Sequence, residues 1–314
     1  MSAALLDDGR VLVVEGLPQA GSQLQLYDPT TGQFGAGPRT PDLLGQPVTL
    51  ADGRVLMAAC GGGSPALLFD PVAGTLSPIG SGAGPDCRAT PVRLADGRVL
   101  MLTGGGAVEN NDYIYDPSAG RFEKTGTMTI SRRSFATVRL ADGRVLVAGG
   151  NDLNSRAPFT ASAEVFDPAT GAFSATGPMA TPRGDFAATL LADGDVLVAG
   201  GLDGSDVLAS AELYDPATGQ FSQTGSMTTP RQLATATLLD DGDVLLAGGS
   251  DVSGHGYLAS AELYDPASRT FAPAASMAVA RAYHTATPLK NGSVLIAGGN
   301  VTPAGEITAE LYRP

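Results

Sequence analysis

The tripeptide Tyr/Phe-Asp-Pro returns six times along this chain, beginning at Tyr27, Phe69, Tyr115, Phe166, Tyr214 and Tyr264, and an altered seventh copy stands at Tyr312-Arg313-Pro314. Upstream of each copy lies a segment of the form Asp-Gly-x-Val-Leu. Its first residue is Asp8, Asp52, Asp96, Asp142, Asp193, Asp241 and, in the last, Asn291, at spacings of 44, 44, 46, 51, 48 and 50 residues. A repeat running from end to end excludes most folds built from unlike parts.

A period near 50 with recurrent double glycines is that of propeller blades, small sheets that bury their faces only when neighbours stack on them. Seven copies would close a ring, and the whole of 1–314 reads as one all-β domain. The blades fall at about 1–37, 38–81, 82–127, 128–178, 179–226, 227–276 and 277–314.

The fifth unit shows how each blade is built. Phe186–Leu191 and Asp195–Ala199 flank the turn at Asp193-Gly194, a hairpin signal. Ala211–Tyr214 leads through Asp215-Pro216-Ala217-Thr218-Gly219 to Gln220–Ser222, where proline presets a turn and glycine allows positive φ. These four runs predict strands A to D. Strand A is rich in Ala and Thr, which suits a crowded centre, and C and D carry the aromatics. Strand B is apolar throughout, as in Val145-Leu146-Val147-Ala148, so it should be covered on both faces. No helix is expected.

With Gly-Gly ending strand B, Ala-Glu-Leu-Tyr-Asp-Pro in strand C, Thr-Gly-x-Phe in strand D and then Met and Arg, the units resemble kelch repeats along the entire chain. The resemblance implies a seven-bladed propeller in which the B-to-C and D-to-A connections share one face. The BC connections vary most in length, Asn151–Thr160 and Ser250–Leu258 being the longest, and variable loops on a rigid scaffold are where ligands usually meet such folds.

Units four to seven differ from the first three. Ten residues before the turn Asp or Asn they carry Arg132, Arg183, Arg231 and Arg281, and two residues before the strand C aromatic they carry Glu164, Glu212, Glu262 and Glu310. Units two and three have Asp42 and Asp86 at the first position and Leu67 and Tyr113 at the second. Joint presence and joint absence suggest an ion pair within each blade, because a buried guanidinium without a carboxylate is costly. The alternative is a ring of arginines forming an anion-binding mouth. The same four units keep the double glycine, at Gly149-Gly150, Gly200-Gly201, Gly248-Gly249 and Gly298-Gly299.

The segment from Arg281 to Asn300, with Tyr283-His284, is similar to the copper-ligand segment of the galactose oxidase and glyoxal oxidase family. That resemblance implies Tyr283 and His284 as ligands and places Cys87 near the family's thioether cysteine. The tyrosine that should join the cysteine is matched by Ser134, and the only histidines are His255 and His284, so the family's site cannot be completed. No cofactor is therefore expected. Metalloprotease, CxxC, nucleophile-elbow and Walker motifs are all missing. Arg132, Arg133, His255, Tyr283 and His284 are the candidate ligand-binding residues.

Net charge is −13, and 17 of the 19 basic residues are Arg, suited to fixed hydrogen-bonded positions. Without a basic stripe, a nucleic-acid partner is not expected. No apolar stretch is long enough to span a bilayer, and the first residues read as repeat sequence rather than a signal peptide. Cys60 and Cys87 permit one disulfide, which points to an extracellular or periplasmic setting. The reading is of a non-enzymatic propeller that binds a glycan or a protein, with an oxidase-like enzyme as the competing class. Unit seven ends at strand C, so its outer strand is expected to be missing from these residues and to come from upstream of Met1.

Overall fold

The computed structural model describes residues 1–17, 21–60, 66–79, 84–104, 111–153, 159–251, 256–299 and 308–314. It is a seven-bladed β-propeller built from successive antiparallel sheets, with no helix among the described residues. The chain divides into two compact units, 1–128 and 129–314.

Unit 1 holds three blades. The first runs Ser2–Leu5, Val11–Leu17, Gly21–Asp28, Gln33–Thr40, and the third Thr90–Arg93, Val99–Leu102, Tyr113–Asp116, Arg121–Lys124, each paired in sequence order. In the second, strand A is split into Leu43–Leu44 and Val48–Thr49, both pairing with Val55–Cys60. Gly45 lies between the pieces, against the Cys87 backbone, where a Cβ would collide with the Cys87 carbonyl.

Unit 2 holds four blades. Their strands are Ala136–Arg139, Val145–Ala148, Ala163–Asp167, Ala172–Thr176; Ala187–Leu190, Val196–Ala199, Ala211–Asp215, Gln220–Gln223; Thr235–Leu238, Val244–Ala247, Ala261–Asp265, Thr270–Ala274; and Thr285–Pro288, Val294–Ala297, Ala309–Tyr312. The seventh sheet has three strands, and no described residue pairs with the outer side of Ala309–Tyr312.

The sequence pattern explains the packing. Strand B is fully buried in every blade of unit 2, in keeping with its continuous apolar sequence. The strand C aromatic faces the strand D phenylalanine, as in Tyr214 and Phe221, whose ring centroids are 4.8 Å apart, and both pack on the preceding blade beside Val165. Tyr115 with Phe122 and Tyr264 with Phe271 fill the same kind of wedge between successive sheets. At the opposite ends of the sheets the Asp-Gly turns close tightly: Asp142 accepts the Arg144 backbone N–H and its Nε, at 3.0 and 2.7 Å.

Candidate functional site

In each blade of unit 2 the connection leading into strand A sinks an arginine beneath the sheet end. Arg183 is wholly buried. Its Nη1 donates to the carbonyls of Gly200 and Ser210 at 2.8 and 3.0 Å, and its Nη2 donates to Glu212 Oε1 at 2.8 Å. Glu212 in turn accepts the backbone N–H of Ala180 at 2.7 Å. One guanidinium thus ties together the end of strand B, the start of strand C and the incoming connection. Arg132–Glu164, Arg231–Glu262 and Arg281–Glu310 repeat the contact at 2.7, 2.8 and 2.7 Å. Burial works to raise the Glu262 carboxyl, but the Thr228 and Thr229 amides and Arg231 outweigh it and hold the group below its ordinary value.

The double glycines extend this latch to the neighbouring blade. Gly150 donates its N–H to the carbonyl of Arg183, Gly201 to that of Arg231 and Gly249 to that of Arg281, at 2.8 to 2.9 Å. Gly201 has φ +94°, and a Cβ there would lie 2.6 Å from the Gly184 carbonyl oxygen and 2.7 Å from the Phe186 Cβ. Only glycine fits. Arginine, glutamate and double glycine occur together because they are parts of one device.

Two residues after each latch arginine the backbone enters the left-handed region. Ser134, Asp185, Leu233 and Tyr283 have φ of 54°, 53°, 56° and 57°. They are linked in a row from blade to blade: Asp185 N–H donates to the Ser134 carbonyl at 3.0 Å, Leu233 N–H to Asp185 at 2.8 Å and Tyr283 N–H to Leu233 at 3.4 Å. Such backbone costs about 1–3 kcal/mol per residue and persists only where the surroundings over-determine it. Here the buried latch and the interblade bonds do so.

The row presents four side chains of different chemistry. Tyr283 is 54 % exposed. Asp185 is half-buried, so burial raises its carboxyl, partly offset by a hydrogen bond from Ser134. Burial also raises the Tyr283 phenol, helped by the nearby Asp185 charge and by Tyr257. The BC connections form an apron beside the row through isolated bridges: Gly184 with Leu202, Leu202 with Val207, Gln232 with Ser250, and Ser250 with Tyr257. An aromatic face, a carboxyl and a hydroxyl on one rigid surface suit a ligand with both apolar and hydroxyl or amide groups.

The residues expected to bind ligand divide. Tyr283 lies in the row. Arg132 is fully buried in its ion pair and closed to a ligand, which also removes a mouth lined by latch arginines. His284 is 6 % exposed, with Nε2 3.0 Å from Thr235 Oγ1 and no described partner for Nδ1. Burial, reinforced by the Arg281 charge, lowers its pKa to about 4, leaving a neutral ring packed against Thr235 and Gly248 of the sixth blade. Arg133 is exposed in a two-residue strand, Arg132–Arg133, paired with Asn151–Asp152. His255 lies outside the described residues. Asp185 and Leu233 were not expected; their signal is position alone, two residues beyond each latch arginine.

A different device serves blades two and three. Cys60, ending strand B, is disulfide-bonded to Cys87, in the connection to the next blade, with Cα atoms 4.9 Å apart. This bridge spans the place where a glycine amide meets an arginine carbonyl in unit 2.

The galactose oxidase resemblance implies copper, and the donor set does not fit it. Cys87 is consumed in the disulfide, Ser134 stands where a tyrosine is needed, and His284 Nε2 is engaged by Thr235. No group of three or more His, Cys, Asp or Glu among the described residues could hold a metal ion.

The Kelch motif family model matches residues 184–228, the fifth blade from its left-handed turn to the methionine after strand D. No curated protein matches the chain. Among solved structures it is similar to one described as a novel fungal alcohol oxidase with catalytic diversity among the AA5 family, in complex with copper. The TM-score is 0.78 at 19 % identity, over 96 % of this chain and 70 % of the other. At that identity the likeness is one of fold. The chain is a seven-bladed β-propeller whose fifth blade matches the Kelch motif and whose fold is similar to that of the copper-containing fungal alcohol oxidase.

Proposed function

We propose that this single propeller domain is a non-enzymatic binding module that recognises a glycan or protein ligand on the face carrying its BC and DA connections. The observation that carries the reading is the row Ser134, Asp185, Leu233 and Tyr283, four strained residues locked from below by ion pairs, with Ser134 and Tyr283 exposed and Asp185 and Leu233 half-buried. Tyr283 supplies a stacking surface, with Tyr257 beside it, and Asp185 with Ser134 supplies hydrogen-bonding groups, a combination common in recognition sites. The Cys60–Cys87 bridge favours an extracellular or periplasmic setting. The oxidase-like alternative rests on the Tyr283-His284 pair and the likeness of fold, and lacks a donor set among the described residues.

A glycan and peptide array identifies the ligand class, and the variants Tyr283→Ala and Asp185→Asn test the site. Loss of Tyr283 should weaken binding by about tenfold or more, the scale of an aromatic anchor. Array ligands held equally well by both variants would contradict the assignment.

A further inference from the structure

Asp185, on the face carrying the BC and DA connections, is a half-buried carboxyl without a counter-charge among the described residues. The latch glutamates differ: Glu164, Glu212, Glu262 and Glu310 each hold a guanidinium at 2.7 to 2.8 Å. For Asp185, burial pushes the carboxyl up, and only a hydrogen bond from Ser134 works against that. A partly desolvated carboxylate of this kind is costly until an opposite charge reaches it.

Apolar and aromatic groups stand beside it. Leu233, half-buried, donates its N–H to the Asp185 carbonyl at 2.8 Å, and Tyr283 follows in the row, exposed over 54 % of its surface. Tyr257 is held by a bridge to Ser250, which itself bridges Gln232, the residue before Leu233. The Tyr283 phenol is pushed up by the Asp185 charge and by Tyr257, which places it within electrostatic reach of both. A carboxylate, an aromatic face and an apolar step between them match a planar cation on an aliphatic stem better than a neutral polyol, because a guanidinium forks onto carboxylates, stacks on rings and lays its methylenes on apolar surface. The net charge of −13 draws cations to the protein as a whole.

We propose that the row takes the guanidinium of an arginine side chain from a protein ligand, with Asp185 accepting its N–H groups, Tyr283 and Tyr257 offering ring faces and Leu233 carrying the aliphatic stem. The assignment rests on the reading of this row as the ligand surface, and it decides for a protein rather than a glycan. An ammonium is held less well, since it cannot fork onto a carboxylate and stack on a ring at once.

The probe is the peptide Gly-Gly-Arg-Gly-Gly, blocked at both ends, titrated into the whole protein at low salt and followed by backbone-amide NMR. A second peptide carries citrulline, which replaces the guanidinium by a neutral urea of the same shape. Saturable shifts at Asp185, Leu233 and Tyr283 are expected with the arginine peptide, with affinity falling as salt rises. The citrulline peptide should bind about tenfold more weakly or worse. Asp185→Asn should erase that difference; asparagine tolerates the left-handed backbone that Asp185 adopts, so the turn survives the change. Tyr283→Phe keeps the ring and should bind the arginine peptide as the unaltered protein does, whereas Tyr283→Leu should lose several-fold. Equal binding of the two peptides, or a preference that Asp185→Asn leaves intact, would overturn the proposal. If the arginine peptide shifts nothing while methyl glucoside shifts the same amides, the cation assignment falls and the row stands as a ligand surface; array ligands indifferent to Tyr283→Ala would remove both.

Discussion

Replacing Glu212 by alanine should destabilise the protein by about 3–5 kcal/mol, the cost of leaving a buried guanidinium without its counter-charge. Arg183 is fully buried, and Glu212 also holds the Ala180 and Thr181 amides at 2.7 and 3.3 Å, so three donors lose their acceptor at once. Water cannot replace the carboxylate without opening the blade. Two comparisons give the result its meaning. Glu123→Ala, which breaks the exposed pair with Arg121, should cost less than about 1 kcal/mol. Glu310→Ala should fall between them, because the Glu310 side chain keeps 23 % of its surface in solvent. Denaturant midpoints of the three variants check the order; a loss for Glu212→Ala no larger than that for Glu123→Ala would show that the latch is not holding the blades.

Reducing the Cys60–Cys87 bridge should cost about 3.5 kcal/mol, the chain-entropy value for closing a loop of this size. The sequence separation is 27 residues, and the loop runs from strand B of the second blade to the entrance of the third. The bridge is the covalent counterpart of the interblade amide bonds in unit 2, and unit 1 lacks the Arg, Glu and double-glycine set that makes those bonds. Melting curves with and without a thiol reductant, together with the Cys60→Ser and Cys87→Ser double variant, measure it. Identical melting of the oxidised protein and the double variant would contradict the role given to the bridge.

The architecture was open to sequence reasoning because it is written seven times. Strand limits in the fifth blade shift by only one residue at either end, as with Phe186–Leu191 expected and Ala187–Leu190 found, since turn chemistry at Asp193-Gly194 and Asp215-Pro216 fixes the register. That no described residue pairs with the outer side of Ala309–Tyr312 follows from counting strands. Side-chain placement was harder. Arg132 was considered for a ligand because arginines on a loop look available; burial depends on how far the connection sinks beneath the sheet, and no local pattern encodes that depth. Asp185 and Leu233 carry no motif at all. What makes them part of a surface is a left-handed turn imposed by the arginine two residues earlier and by a glycine amide from the neighbouring blade.

The split between the two units has a physical basis of the same kind. Where the arginine, the glutamate and the double glycine are present, blades are joined by backbone bonds that also shape a row of exposed and half-buried side chains. Where they are absent, the second and third blades are joined by a disulfide, and Asp112 accepts the Thr103 and Met128 amides at 2.9 and 3.3 Å. The repeat is thus uniform in its strands and divided in its connections.

Metal content separates a binding module from an oxidase most directly. After incubation with Cu(II) and removal of excess ion, the protein as purified should retain no stoichiometric copper, because Cys87 is bridged, Ser134 offers no phenol and His284 is held by Thr235. One copper per chain, lost on Tyr283→Phe or His284→Ala, would contradict the binding-module account and return the oxidase reading.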